Sequence, residues 1–142
     1  MIYLDVSYVA RLYLEDPGWE EVRALAAGEP VACAVHGYAE VIAAIHRKFR
    51  EGVFTPAQYR ALLEQFDLDC GEHAYRWLPL SPTVSARVKE SFGTLPAAMF
   101  LRAADALHLA CAAESGFHEI YSNDQRLLAA ARHFGLRGVN II

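Results

Sequence analysis

The sequence has few cysteines, and their arrangement excludes both a disulfide framework and a cysteine-based zinc site. Cys33, Cys70 and Cys111 are odd in number and widely spaced, and no Cys-x-x-Cys pair occurs. This pattern is typical of buried thiols in a reducing compartment. The chain also lacks a charged segment leading into an apolar leader, and it has no apolar run of about eighteen residues. We therefore expect a cytoplasmic protein that does not enter a membrane.

A large net charge is missing as well. The chain has 13 Lys and Arg against 17 Asp and Glu, a formal charge of −4. This balance argues against a protein that coats nucleic acid nonspecifically. If four of the acids share one metal site, the remaining acids equal the basic residues in number. Nucleic acid therefore remains a candidate ligand.

The length and the apolar content indicate one domain, residues 1–142. With 142 residues, of which 54% are hydrophobic, the chain can bury a core without disulfides or a structural metal. Short apolar runs alternate with segments of helical periodicity, so we predict an α/β fold with a mostly parallel sheet and helices on both faces. The predicted strands are 2–4, 30–35, 75–80, 119–121 and 139–142. The predicted helices are 7–14, one opening at Asp16-Pro17 and ending at Gly28, 37–51, one capped by Thr55, one capped by Ser81, 100–115, and one capped by the segment 122–125.

Four acids fall at the same edge of this predicted sheet. Asp5 follows the first strand, Glu40 lies in the first turn after the second strand, and Asp124 follows the strand at 119–121. Strand-to-helix junctions of a parallel sheet share one edge, where ligands usually bind. Asp105 reaches that edge by another route. Its helix runs antiparallel to the strand that follows, so the early turns of the helix lie near the carboxyl ends of the strands. The topology thus predicts that four carboxylates converge.

Such convergence is unfavourable unless something neutralises the charge. Two unit charges about 4 Å apart repel by about 4 kcal/mol at an effective dielectric near 20. Either some carboxyl groups stay protonated or a divalent cation binds them. Oxygen ligands without convergent Cys or His favour Mg²⁺ or Mn²⁺ over Zn²⁺.

Each acid also has a purely structural interpretation. Asp5 before a helix can be an N-cap, and Glu40 and Asp124 can be first-turn acids stabilised by the helix macrodipole. Asp105 lies among alanine and leucine inside a predicted helix, where Asp is a poor helix former. It is the acid that structure alone explains least.

These residues together resemble a known family, the PIN-domain ribonucleases, and specifically the toxin of VapBC-type toxin–antitoxin systems. The resemblance covers nearly the whole chain in the family's order and spacing, and its third segment is the most specific. The matching segments are Ile2-Tyr3-Leu4-Asp5-Val6-Ser7, Tyr38-Ala39-Glu40-Val41, Arg102-Ala103-Ala104-Asp105-Ala106-Leu107-His108-Leu109-Ala110 and Ser122-Asn123-Asp124-Gln125-Arg126-Leu127.

The resemblance implies a site, a fold and partners. It implies that Asp5, Glu40, Asp105 and Asp124 bind the metal and that Ser7 supports them. It implies a three-layer α/β/α PIN-like fold with about five strands, a homodimer, and inhibition by a VapB-type antitoxin. Relatives commonly have Thr or Ser where this chain has Val6, so a hydroxyl beside the first Asp is missing. We expect this departure to tune the site without abolishing it.

The expected activity is metal-assisted hydrolysis of an RNA phosphodiester. Water and not the ribose hydroxyl is the nucleophile, so the products should carry 5′-phosphate and 3′-hydroxyl ends. The candidates for phosphate binding are Arg11, Arg47, Arg102 and Arg126. The group at Arg47 can equally be a set of favourable charges at a helix C-terminus. His108 is expected to be a structural residue and is not assigned to catalysis.

Two other classes of protein share some of these features. A metal-dependent phosphatase or phosphotransferase also places an Asp after its first strand. The haloacid-dehalogenase pattern, however, needs a second Asp where this chain has Ser7, and a receiver domain needs an earlier acidic pair. A non-catalytic PIN-like binding module is the third interpretation, and it predicts no affinity for metal.

Overall fold

The computed structural model describes residues 1–142, which form five strands, seven α-helices and one 3₁₀ turn. The strands are β1 (Ile2–Tyr3), β2 (Val31–Ala34), β3 (Tyr75–Leu78), β4 (Glu119–Tyr121) and β5 (Arg137–Val139). The helices are α1 (Val6–Arg11), α2 (Trp19–Ala27), α3 (Gly37–Arg50), α4 (Pro56–Gly71), α5 (Pro82–Thr94), α6 (Ala103–Glu114) and α7 (Gln125–Ala130), and the 3₁₀ turn is Ala131–Phe134.

All strand pairs are parallel, as predicted. β2 pairs with β1 on one side and with β3 on the other, while β4 pairs with β5. A parallel bridge between Leu4 and Tyr121 joins the two groups, so the strand order is β3-β2-β1-β4-β5. The order reverses between β1 and β4, and ligands of open α/β sheets bind at such a switch point. The α/β fold with about five strands is confirmed.

The sheet separates two hydrophobic clusters and so forms the middle of three layers. Tyr3 belongs to the cluster that includes residues of α5, α6 and α7, and its neighbour Leu4 belongs to the cluster of α1, α3 and α4. Successive strand residues point to opposite faces, which is why adjacent positions of one short strand serve both clusters. All four residues of β2 are buried, as expected for a strand covered on both faces.

The pairing of α3 with α4 depends on a short connection that the sequence predicted. The Thr55 hydroxyl accepts from Gln58 N at 3.2 Å, and the Gln58 side chain accepts from Thr55 N at 2.9 Å, which is a complete capping box. The Tyr59 ring stacks on Phe49 of α3 with 4.5 Å between centroids. None of these helices combines the length and the apolar content that a membrane-spanning segment requires.

Several predicted element ends differ from the structure, and two of the differences have identifiable reasons. The last strand is Arg137–Val139 and not 139–142. Asn140 and Ile141 instead bind the Tyr8 hydroxyl, which donates to Asn140 Oδ1 at 2.7 Å and accepts from Ile141 N at 2.9 Å. Asp16 does not cap α2, because the helix begins at Trp19 after a left-handed Gly18. The Asp16 carboxylate pairs with a lysine of α3.

Candidate metal centre

Four carboxylates from four segments line one cleft at the carboxyl edge of the sheet. Asp5 follows β1 and the bridging residue Leu4, Glu40 lies in the first turn of α3, Asp105 lies in the first turn of α6, and Asp124 caps α7. All four border a single cavity of about 640 Å³, which we call the acidic cleft. The structure therefore brings the predicted acids together. Their role as metal ligands stays a prediction.

The placement of Asp105 corrects one argument from the sequence. The helix begins at Ala103 with Arg102 as its N-cap, so Asp105 lies in the first turn and not in the helix interior. It therefore has the same macrodipole stabilisation as Glu40. Asp105 is nevertheless only 7% exposed, which is unusual for a carboxylate without a function or a partner.

Asp5 is the most buried of the four acids. It is 3% exposed, and its Oδ1 accepts from the Ser7 hydroxyl at 2.6 Å and from Tyr8 N at 3.3 Å. Its Oδ2 accepts from the Ser122 hydroxyl at 2.8 Å. Burial raises the pKa of Asp5, and these hydrogen bonds offset part of the increase. Asp5 is therefore both the N-cap of α1 and a fixed, poorly solvated carboxylate in the cleft.

Ser122 is a residue of the site that the sequence analysis assigned only to helix capping. It is fully buried, and its hydroxyl also accepts from Asp124 N at 2.9 Å. One side chain thus links Asp5 to the backbone of Asp124 across the switch point between β1 and β4. The capping contacts of α7 belong to Asp124, which accepts from Arg126 N and Leu127 N. The position of Ser122 immediately after β4 was the available signal.

Arg102 neutralises two of the four acids. Its Nε donates to Asp105 Oδ2 at 2.7 Å and its Nη2 donates to Asp105 Oδ1 at 3.2 Å, a two-point contact. The same Nη2 lies 2.8 Å from Asp124 Oδ2. The Asp105 carboxylate raises the pKa of Arg102. Arg102 was predicted as a phosphate contact, and its guanidinium here binds the acids themselves.

His108 holds the remaining acid through a chain of hydrogen bonds. The Tyr3 hydroxyl accepts from Ala34 N at 3.1 Å, so its own proton is available to His108 Nδ1 at 2.9 Å. His108 Nε2 then carries the ring proton and donates to Glu40 Oε2 at 2.9 Å. His108 is 1% exposed. From the sequence, His108 was expected to be a structural residue, and its hydrogen bond to Glu40 was not predicted.

The pKa of Glu40 reflects its two kinds of surroundings. Burial raises it, but the hydrogen bond from His108 and the electrostatic influence of His108, His36 and Arg102 outweigh burial, so that the pKa is lowered. Glu40 is thus held as a carboxylate. One of its oxygens is occupied by His108, and the other has no hydrogen-bond partner in the protein.

The donor set of the cleft fits a hard divalent cation. The acids supply oxygen ligands, which Mg²⁺ and Mn²⁺ prefer. A mixed group of His36, Glu40 and His108 also lies together, with donor atoms within 4.8 Å of one another. Both imidazole Nε2 atoms of that group have hydrogen-bond partners, Ala104 O and Glu40 Oε2. The carboxylates of the acidic cleft supply oxygen donors only, and they are therefore our candidates for a hard cation.

The other predicted arginines have different surroundings. Arg11 borders the cleft, but its Nη1 donates to Ser7 O at 2.6 Å and its Nε to Pro17 O at 2.9 Å, so it mainly fixes the backbone around α1. Arg47 also borders the cleft and makes only a long 3.9 Å pair with Glu51. Arg126 does not line the cleft, and its guanidinium lies over the ring of Phe100.

Comparison with known proteins gives one family and several similar folds. The PIN domain family model matches residues 2–133. No curated protein matches the sequence significantly.

Three solved structures illustrate the likeness. FitAcB from Neisseria gonorrhoeae has 17% identity and a TM-score of 0.78, with 99% of this chain and 97% of that chain covered. VapC20 from Mycobacterium tuberculosis, a Sarcin-Ricin loop cleaving toxin, has 18% identity and a TM-score of 0.69, with 92% and 95% covered. VapBC2 from Rickettsia felis, bound to a DNA fragment from its promoter, has 16% identity and a TM-score of 0.69, with 99% and 98% covered. At these identities the likeness establishes the fold.

Proposed function

Because this chain belongs to the PIN-domain family, we propose that it is a divalent-metal-dependent endoribonuclease and the toxin of a type II toxin–antitoxin pair. The observation that supports this proposal most strongly is the acidic cleft, in which carboxylates from four separate segments meet at the switch point of the sheet. Arg102 offsets only part of the negative charge gathered there, so a cationic ligand is the natural explanation for the rest. The substrate is an RNA phosphodiester.

The residues of the cleft have separable roles in this proposal. Asp5, Glu40 and Asp105 hold Mg²⁺ or Mn²⁺, and Asp124 is either a further ligand or orients the attacking water. A cation held by these residues would lower the pKa of that water and offset charge on the phosphate. Ser7 supports the site through its bond to Asp5 Oδ1. Hydrolysis by water leaves 5′-phosphate and 3′-hydroxyl ends.

The second-layer contacts keep the carboxylates in position before the cation binds. Ser122 holds the second oxygen of Asp5, and His108 holds one oxygen of Glu40. Arg102 binds Asp105 and Asp124. Its guanidinium therefore lies where it would also contact a phosphate held at those acids.

The partners follow from the same proposal. FitAcB and VapBC2 are similar in fold, and VapBC2 is bound to promoter DNA. We propose that this chain likewise pairs with a small VapB-type antitoxin, forms a homodimer and acts in the cytoplasm. VapC20 is a Sarcin-Ricin loop cleaving toxin, which supports RNA as the substrate class here.

The test is the Asp105→Asn variant. This substitution removes one negative charge and keeps the size of the side chain, so the fold should persist. RNA cleavage should fall by at least about 100-fold, because replacing a residue that only supports a metal ligand already costs up to about 100-fold. Asp67→Asn, an exposed acid on α4 outside the cleft, is the matched control. Direct ligation of adaptors to the cleaved ends reports 5′-phosphates. Full activity in Asp105→Asn, or 2′,3′-cyclic ends, contradicts the mechanism.

Metal binding separates the enzyme from a non-catalytic PIN-like module. Calorimetric titration of the purified protein with Mn²⁺ should show saturable binding that Asp105→Asn weakens and Asp67→Asn leaves unchanged. A wild-type protein without saturable Mn²⁺ binding would favour the binding module.

A further inference from the structure

A large aromatic side chain is exposed beside the acidic cleft. Phe100 is 60% exposed, although an isolated benzyl side chain gains free energy by burial. The guanidinium of Arg126 lies over its ring, with Cζ 4.8 Å from the centroid. This cation–π contact covers one side of the ring and fixes its orientation. The exposed remainder of the ring is available to a ligand.

Phe100 lies in a surface groove whose charge differs from that of the chain as a whole. The groove has a volume of about 580 Å³ and contains two arginines and no acid, whereas the whole chain has a formal charge of −4. Its lining, which defines the Phe100 groove, is Pro96, Ala98, Met99, Phe100, Gln125, Arg126, Ala129 and Arg132. An aromatic ring flanked by arginines suits an anionic ligand that has a flat apolar part.

The lining of the Phe100 groove continues that of the acidic cleft along the chain. Gln125 and Arg126 of the groove immediately follow Asp124 of the cleft. On the other side, Phe100 lies two residues before Arg102, whose guanidinium binds Asp105 and Asp124. For a polymer whose phosphate lies at the acids, this subsite requires a path from Asp124 toward Gln125 and Arg126.

We infer that the Phe100 groove is a nucleotide subsite, in which Phe100 stacks on one base of single-stranded RNA and Arg126 and Arg132 bind the adjoining phosphates. The inference rests on the proposed function and specifies how the substrate is held. Stacking requires a base that is not paired within a duplex, so the subsite selects unpaired RNA. Every base has a π-face, so the subsite tolerates sequence variation and adds affinity.

The experiment measures RNA binding without cleavage. Both proteins carry Asp105→Asn, and one also carries Phe100→Ala; the probe is a fluorescent single-stranded oligoribonucleotide read by anisotropy. Loss of one stacked base should weaken binding by roughly 5- to 150-fold. Phe100→Trp should restore the affinity, because it keeps a stacking surface. Phe92→Ala, which truncates an exposed phenylalanine on α5, is the matched control and should leave the affinity unchanged.

A second measurement distinguishes stacking from a general structural effect. The probes are oligoribonucleotides in which one base is removed, and the abasic position is moved along the strand. In the protein that keeps Phe100, an abasic site at one particular position should weaken binding. In the Phe100→Ala protein the same abasic site should not weaken binding further, because the stacking contact is already absent. Independent, additive losses would overturn the inference.

Two other outcomes are informative. If Phe100→Ala binds RNA normally but changes the sedimentation mass of the protein, the groove is a protein interface and the inference is wrong. If wild-type protein cleaves RNA while Phe100→Ala behaves as its parent in every assay, the subsite fails and the proposed function stands. If the wild type neither binds nor cleaves RNA, the proposed function itself fails.

Discussion

Replacing His108 by leucine tests whether the buried hydrogen-bond chain positions Glu40. The substitution removes the donor to Glu40 Oε2 and the acceptor of the Tyr3 hydroxyl, whose bonds are both 2.9 Å long. Leucine fills a comparable volume at a position that is 1% exposed, so the main change is polar. Glu40 then keeps its charge but loses the contact that fixes one of its oxygens.

The expected loss of stability follows from these two bonds. A hydrogen bond to a charged group contributes about 1.5–3 kcal/mol, and the lower end applies because 32% of the Glu40 side chain is exposed. The Tyr3 hydroxyl still accepts from Ala34 N, but its own proton loses its acceptor, which costs about 1–3 kcal/mol, offset in part by the apolar leucine. The free energy of unfolding should therefore fall by about 2–4 kcal/mol. For a domain of this size that is a decrease in Tm of roughly 6–12 °C.

Metal affinity separates a positioning role from a merely structural one. Because Glu40 is no longer oriented, Mn²⁺ binding measured by calorimetry should weaken by about 10-fold or more. His108→Gln, which retains an amide donor, should recover metal affinity even if it does not recover all of the stability. His118→Leu, at an exposed histidine, is the control. If His108→Leu binds Mn²⁺ as the wild type does, His108 does not position Glu40.

Two further predictions concern the charges of the cleft. Burial raises the pKa of Asp5 in the folded protein, so the stability associated with its protonated form is lost as pH rises through the folded pKa. Asp5→Asn should therefore stabilise the metal-free protein at neutral pH, and this advantage should disappear as the pH falls below that pKa. Denaturant titrations at several pH values measure the free energy of unfolding of both proteins. A variant that is destabilised at neutral pH would refute the prediction. Arg102→Ala removes two partly exposed ion pairs that compete with a cation, so Mn²⁺ should bind roughly 2- to 10-fold more tightly. Weaker calorimetric binding would instead show that Arg102 aligns Asp105 and Asp124.

The fold and the gathering of the acids were predictable because they depend on periodicity and topology. Alternating strand and helix patterns specify a parallel sheet, and a parallel sheet places Asp5, Glu40 and Asp124 at one edge whatever the details of packing. The errors fell at element ends, where side-chain contacts compete with local signals. Asp16 has the residue type of an N-cap, but it forms an ion pair with α3 instead.

The sequence by itself therefore determined the family, the parallel sheet with its carboxyl edge, and which carboxylates lie at that edge. Only the tertiary structure decided what holds each of them: Ser122 on Asp5, Arg102 on Asp105, and His108 on Glu40. The physical reason is that backbone periodicity is local and repeats along the chain. How distant segments pack decides instead that Ser122 bonds to Asp5 and that the ring of Phe100 is left exposed beside Arg126. Local patterns specify the edge at which residues lie, and packing specifies their partners.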